Sequence, residues 1–129
     1  MPISDDRLMQ LVNEYIDIIR NYVMQDAELD DVSREVMMYF LHYAKDFLSS
    51  FKILEHVKID TTTKKISYDL KINVFKIEES IRHLSSIGYI DYKLFDAKGM
   101  SAHEAGHYIF DFNLDSYKYE KIKQWVSGL

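Results

Sequence analysis

Two histidines four residues apart, with a glutamate directly after the first, form the cluster of this chain best suited to metal chemistry. They are His103, Glu104 and His107, in the run HEAGH. On an α-helix, residues at this spacing lie on one face, so two imidazole rings can share one zinc ion. The glutamate can then act as a general base toward a zinc-bound water molecule. A zinc peptidase is therefore one hypothesis for this sequence.

The residues around HEAGH do not supply the helix that this chemistry requires. Residues 108–114 alternate between apolar and polar types, which is typical of a strand and places the motif on a loop or a strand end. A third ligand would have to be Asp111, Asp115 or Glu120, and the segment after the motif is too short for the usual substrate cleft. We therefore expect no enzyme and no cofactor. Zinc on this motif, or histidines that respond to pH there, remains the alternative.

Residues 61–95 carry the second informative pattern, which predicts two short helices joined by a tight turn and then a strand. The apolar positions that define the helices are Ile66 and Leu70 in the first and Ile77, Ile81 and Leu84 in the second. Gly88 follows them, and glycine takes the left-handed cap conformation at low cost. The alternation of Ile90, Tyr92 and Leu94 then has the period of a strand.

Two longer helices are predicted before this segment. The first begins at a Ser4 cap and ends near Gln25, with Tyr15, Ile19 and Tyr22 on its apolar face. The second begins at Asp30 or Asp31 and ends near residue 54. Its apolar face is formed by Val36, Phe40, Tyr43, Phe47 and Phe51.

The remaining elements are strands and a last helix. Residues 57–60 are predicted as a short strand, with a loop as the alternative, and residues 108–114 as the strand that returns beside the one after Gly88. Asp115 or Ser116 caps a final helix, whose apolar side includes Tyr119 and Ile122. The predicted order is helix, helix, strand, helix, helix, strand, strand, helix.

The stretch INVFKIEESIRHLSSIGYI resembles the winged helix-turn-helix superfamily. An apolar residue starts the turn, three apolar positions line the second helix, and glycine, an aromatic residue and isoleucine open the wing. Among families it is most similar to transcription regulators of the MarR and PadR type and to the N-terminal domains of DnaD-like replication proteins. HEAGH is similar to the zinc site of FtsH-type membrane proteases and other zincins, including its Ala-Gly pair.

The winged-helix resemblance implies a mainly α-helical fold with a small β-hairpin wing and extra helices at both termini. We expect one domain over residues 1–129, with an N-terminal helix in 1–30, the winged-helix core in 31–114 and a C-terminal helix in 115–129. The implied function is binding of double-stranded DNA, as a transcriptional regulator or as a replication or partition factor of a bacterial, plasmid or phage system.

The same resemblance implies which side chains contact DNA. Asn73 caps the recognition helix, whose outward residues are Phe75, Lys76, Glu79, Arg82 and His83. Arg82 can pair with guanine, Glu79 can accept a hydrogen bond from cytosine, and Phe75 can contact a thymine methyl group. Phosphate contacts are expected from Lys76 and from four further lysines: Lys64, Lys65, Lys71 and Lys98. Glu78 and Glu79 repel phosphate, which favours an alternative in which this helix binds a protein instead.

Charge is distributed unevenly along the chain. The formal net charge is −5, but residues 45–98 hold ten basic and eight acidic side chains, whereas residues 1–44 hold three basic and nine acidic ones. The most basic segment thus coincides with the predicted helix-turn-helix, as expected if one face binds nucleic acid.

Composition indicates where the protein acts and how it assembles. The 129 residues contain no cysteine and no apolar run long enough to cross a bilayer, and the first ten residues are acidic. We therefore expect a cytoplasmic protein without a membrane partner. Four tyrosines on the terminal helices suit a subunit contact, and we expect a homodimer; they are Tyr15, Tyr22, Tyr117 and Tyr119.

Overall fold

The computed structural model describes residues 5–48, 57–95 and 107–128. These residues form α1 (Asp5–Gln25), α2 (Asp31–Leu48), β1 (Lys58–Thr62), α3 (Thr63–Leu70), α4 (Val74–Ser86), β2 (Ile90–Phe95), β3 (His107–Phe112) and α5 (Tyr117–Ser127). The described chain is mainly helical, with one small antiparallel sheet. The order of the described elements is the predicted one.

The sheet has β3 in its centre, with β1 on one side and β2 on the other. Phe110 of β3 stands opposite both Ile59 and Tyr92, and its side chain is buried. The predicted pairing of β3 with β2 is confirmed. The sequence did not indicate that β1 would pair along the other edge of β3, because the short segment 57–60 has no turn connecting it to β3.

Helix α2 supplies much of the hydrophobic core. Its buried residues include Val36, Phe40 and Ala44, and the Phe40 ring lies 4.7 Å from the Phe110 ring, between centroids. Tyr43 was predicted on the same face but is 38% exposed. The predicted core positions Phe47 and Phe51 lie outside the side chains that the structure describes.

Helices α3 and α4 are joined by a tight turn of three residues. Lys71 closes α3 in the left-handed conformation, with φ of 57°, and its N–H donates to the carbonyl of Ser67. The side chain of Asn73 accepts a hydrogen bond from the N–H of Phe75 at 2.8 Å, so the predicted cap is confirmed. The predicted stripe Ile77, Ile81 and Leu84 is buried.

Gly88 joins α4 to β2 in a conformation that suits glycine. Its φ is +93°, and a Cβ at this position would lie 2.8 Å from the hydroxyl oxygen of Ser116. That hydroxyl donates a hydrogen bond to the carbonyl oxygen of Gly88. Ser116 is therefore the N-cap residue of α5, as predicted. Its side chain binds Gly88, however, and makes no capping hydrogen bond.

A buried lysine connects α5 to the rest of the molecule. The ammonium group of Lys118 lies 2.8 Å from a carboxylate oxygen of Asp26 and 2.7 Å from one of Glu28. Only 1% of the Lys118 side chain and 5% of the Asp26 side chain are exposed. The hydroxyl of Tyr89 donates to the same Asp26 oxygen at 2.6 Å. The turn after α1, the start of β2 and the first turn of α5 therefore meet at this group of residues.

The pKa values of the two buried charges reflect their pairing. Burial would raise the pKa of Asp26, but hydrogen bonds from Lys118 and Tyr89 outweigh it and lower that pKa below its ordinary value of 3.8. Burial would lower the pKa of Lys118, but hydrogen bonds to Asp26 and Glu28 raise it above 10.5. Both groups are therefore charged in the folded protein across the neutral range.

Replacing Gly88 by alanine tests the turn between α4 and β2. We expect Gly88→Ala to lower the free energy of unfolding by about 1–2 kcal/mol through its left-handed backbone alone, with a further loss from the Ser116 contact. Urea unfolding measures this change. Gly128→Ala is the control, because Gly128 has φ of −85° and its Cβ would come no closer than 3.6 Å to the nearest atom. Equal stability of the two variants would contradict the requirement for glycine at position 88.

Replacing Lys118 by methionine tests the buried pair. Lys118→Met leaves the Asp26 carboxylate buried without its cation, so the free energy of unfolding should fall by about 3–5 kcal/mol. Lys123→Met on the exposed side of α5 should change it by less than about 0.5 kcal/mol. Chemical denaturation of both variants at neutral pH measures the difference, and a Lys118 variant as stable as the Lys123 variant would refute the role of the pair.

The same pair predicts how stability depends on pH. The folded-state pKa of Asp26 is lowered, so its contribution is present above pH 3.8 and is lost as pH falls through the lower, folded value. The Lys118 contribution is present below pH 10.5 and is lost as pH rises through the raised value. Melting temperature measured against pH should therefore fall at both ends in the wild type. The high-pH fall should be shallower in Lys118→Met, and an unchanged high-pH slope would contradict this prediction.

Candidate nucleic-acid interface

The predicted recognition helix is α4, and most of its predicted contact residues lie on its exposed side. Phe75 has 63% of its side chain exposed, and Lys76, Glu79 and Arg82 are exposed as well. They stand opposite the buried stripe because α4 turns by 3.6 residues. This face therefore carries an aromatic ring, two cations and one carboxylate.

His83 was predicted to point outward as a DNA contact, but the structure places it differently. Its ring Nε2 lies 2.7 Å from the backbone carbonyl oxygen of Glu28, in the turn between α1 and α2. The side chain is partly buried there. It fastens α4 to that turn, a contact that periodicity within α4 could not reveal because the two residues are far apart in sequence.

The lysines of α3 are exposed, but they are not equivalent. Lys65 forms an ion pair with Asp69 at 2.9 Å, and the Tyr39 hydroxyl donates to Asp69 at 2.6 Å. The Tyr39 and Lys65 hydrogen bonds lower the pKa of Asp69. Lys64 and Lys71 are exposed and make no ion pair with another described residue. Lys98 lies outside the described residues.

The carboxylates near α4 lie on its flanks. Glu79 lines a surface pocket together with Asp30, Ser80 and His83, where α4 meets the start of α2. Asp30 caps α2 by accepting a hydrogen bond from the Ser33 N–H at 2.7 Å, and this backbone hydrogen bond lowers the pKa of Asp30. α4 therefore has an acidic flank toward the α1–α2 turn, where Glu79 and Asp30 stand, although Arg82 lines the same pocket.

Glu78 lies on the other side of α4, toward the sheet. Its side chain is partly buried, and burial together with the Glu78 charge raises the pKa of Tyr108 in β3. The Tyr108 ring stacks on Phe110 with centroids 5.4 Å apart and meets Tyr92 edge to face at 5.5 Å. Glu78 therefore faces an aromatic cluster and is not central on the exposed face.

Sequence reasoning missed Tyr68 on α3, whose side chain is 81% exposed. Its position two residues after the buried Ile66 places it on the opposite face of a short helix, which periodicity could have indicated. It was missed because tyrosine is ordinarily assigned to a core or an interface. The structure thus adds an exposed aromatic ring to the two lysines of α3 and to Lys71, which follows it.

The histidine motif falls mostly outside the described residues. His107 is the first residue of β3 and pairs with Thr62 and Phe95, whereas His103 and Glu104 are not described. Within residues 5–48, 57–95 and 107–128, no group of three or more His, Asp or Glu side chains could hold a metal ion. Zinc binding by HEAGH stays a prediction.

Comparison with protein-family models, with curated proteins and with solved structures found no match to this chain. Among the helices that the structure describes, none combines the length and the apolar character needed to cross a bilayer. Support for the candidate interface therefore comes from the arrangement of α3, α4 and the sheet.

Proposed function

We propose that residues 31–114 form a winged helix that binds double-stranded DNA through α4. One arrangement supports this proposal: α3 and α4 are joined by a tight turn, and β2 and β3 follow as a hairpin with β1 on the far side of β3. In winged helices, this order presents the second helix of the pair to the major groove and the hairpin to the adjacent backbone. The exposed side of α4 leaves its side chains accessible for such a contact.

The chemistry of the face supports the same proposal. Over residues 63–86 there are five basic and three acidic side chains. Arg82 is placed to read guanine, Phe75 to contact a thymine methyl group, and Lys76 to contact phosphate. Lys64 and Lys71 hold the backbone from α3, and each phosphate contact releases counterions. The protein then acts in the cytoplasm as a transcriptional regulator or as a replication or partition factor, with no catalytic step and no cofactor.

The terminal helices are the proposed subunit contact. Tyr22 of α1 and Trp125 of α5 meet edge to face at 5.5 Å, so the two helices pack side by side. Tyr119 is excluded from such a contact because it is fully buried and its hydroxyl donates to the carbonyl of Tyr89. Tyr117 is 70% exposed on α5. In a homodimer, the two α4 helices would enter successive major grooves about 34 Å apart.

A second candidate function is binding of a protein partner through α4, without DNA. The observation that favours it is the acidic flank formed by Glu79 and Asp30 beside the exposed Phe75. Carboxylates oppose a phosphate backbone, whereas an aromatic side chain with mixed charges around it suits a protein surface. The two functions predict opposite results with DNA.

Substitution of Arg82 tests DNA binding. Arg82→Ala should weaken binding to a duplex enriched from a random-sequence pool by roughly 5- to 150-fold, which is about 1–3 kcal/mol. Fluorescence anisotropy across a salt series measures it, and wild-type affinity should fall steeply as salt rises. Lys123→Ala, an exposed lysine of α5, is the matched control and should bind like the wild type.

Two results would reject this function. One is the absence of duplex binding at about 50 mM salt, where phosphate contacts are strongest. The other is an Arg82→Ala variant that binds like Lys123→Ala. Recovery of a protein partner that requires Phe75, together with either result, would support the second candidate.

A further inference from the structure

Two aromatic rings project from either side of the turn between α3 and α4. Tyr68 is 81% exposed and Phe75 is 63% exposed. Each stands opposite the buried side of its own helix, where Ile66 and Ile77 enter the core. Packing of the hydrophobic core does not explain why two large aromatic side chains this close together in sequence are exposed.

Lysines accompany these rings. Lys64 precedes Tyr68 by four residues, about one helical turn, so it lies near the same side of α3. Lys71 is the exposed left-handed residue that ends α3, three residues after Tyr68. The acidic residue of α3, Asp69, is held on the other side by Tyr39 and Lys65. We call Lys64, Tyr68, Lys71 and Phe75 the aromatic-basic strip.

We propose that the aromatic-basic strip binds single-stranded DNA, with unpaired bases stacked on Tyr68 and Phe75 and phosphates held by Lys64 and Lys71. The proposal rests on the proposed function, since Lys64, Lys71 and Phe75 are also duplex contacts there and only Tyr68 is new to the DNA site. An aromatic side chain stacks on the face of any base, and such a face is available only where the strand is unpaired. In a duplex the grooves offer base edges instead.

The strip also avoids the carboxylates that oppose DNA elsewhere. Glu79 lies with Asp30 at the α1–α2 turn, and Glu78 lies toward Tyr108. A strand that follows α3 across the turn therefore meets two lysines whose charges no described carboxylate neutralises. Because the strip shares Lys64, Lys71 and Phe75 with the duplex site, duplex and single-stranded DNA would compete for it.

The test compares two DNA probes on the full chain. Fluorescence anisotropy is measured with a labelled thymidine oligonucleotide of about 15 nucleotides, near the 4–16 nucleotides that single-strand folds cover, and with a duplex. Tyr68→Ala should weaken binding to the single strand about tenfold, the size of one lost stacking contact. Tyr68→Phe keeps the ring and should bind like the wild type. Phe75→Leu should weaken single-strand binding in the same direction as Tyr68→Ala.

Tyr43→Ala is the matched control. Tyr43 is a tyrosine of α2 that is 38% exposed and belongs neither to the proposed DNA contacts nor to the proposed subunit contact. This variant should leave single-strand affinity unchanged. Thermal melting shows whether each variant is folded, and an exposed position predicts wild-type melting for Tyr68→Ala and Tyr68→Phe.

The outcomes separate this proposal from the proposed function. If the duplex binds and the single strand does not, the strip is overturned and DNA binding by α4 stands. If neither probe binds, both are overturned. The strip proposal is also overturned if Tyr68→Ala leaves single-strand binding unchanged. It is likewise overturned if Tyr68→Ala weakens binding of both probes equally, because either result excludes stacking of unpaired bases on Tyr68.

Discussion

The buried ammonium group of Lys118 is the interaction that most constrains this fold. A charge this deep in a protein costs several kcal/mol in lost hydration unless it is paired and hydrogen-bonded. Asp26 and Glu28 supply the pairing, and the Tyr89 hydroxyl completes the hydrogen bonding of Asp26. The α1–α2 turn and the beginning of α5 must therefore assemble together, since loss of either leaves a buried charge unpaired, and the start of β2 adds the hydrogen bond from Tyr89 to Asp26.

This group of residues also fixes the position of α4. Glu28 binds Lys118 through its side chain and His83 of α4 through its backbone carbonyl. The Tyr89 carbonyl, just beyond the end of α4, accepts a hydrogen bond from the buried Tyr119. One short turn thus links the proposed DNA helix to α5, which we propose as part of the subunit contact. The rigid placement of α4 depends on contacts made by residues outside the helix-turn-helix itself.

Local patterns predicted the elements well and the long-range contacts poorly. The stripe Ile77, Ile81 and Leu84, the Asn73 cap and the positive φ of Gly88 all follow from spacing and residue type, and all are confirmed. Lys118 could not be predicted, because lysine is ordinarily exposed and its partners lie about ninety residues away. The contact of His83 was missed for the same reason. The sequence predicted the candidate site as one face of a helix. Only the structure showed which residues from other elements contact that helix.

The uneven charge around α4 gives a direction to the approach of any polyanion. Asp30 and Glu79 occupy the flank toward the α1–α2 turn, whereas Lys64 and Lys71 occupy α3 on the side of the tight turn. The carboxylates of the first flank oppose a negatively charged strand, and the two lysines attract it. Arg82 lines the same pocket as Asp30 and Glu79, so a strand that reaches Arg82 passes close to both carboxylates, whereas Lys64 and Lys71 form no ion pair with a described residue. An evenly spread net charge of −5 would give the approach no such direction.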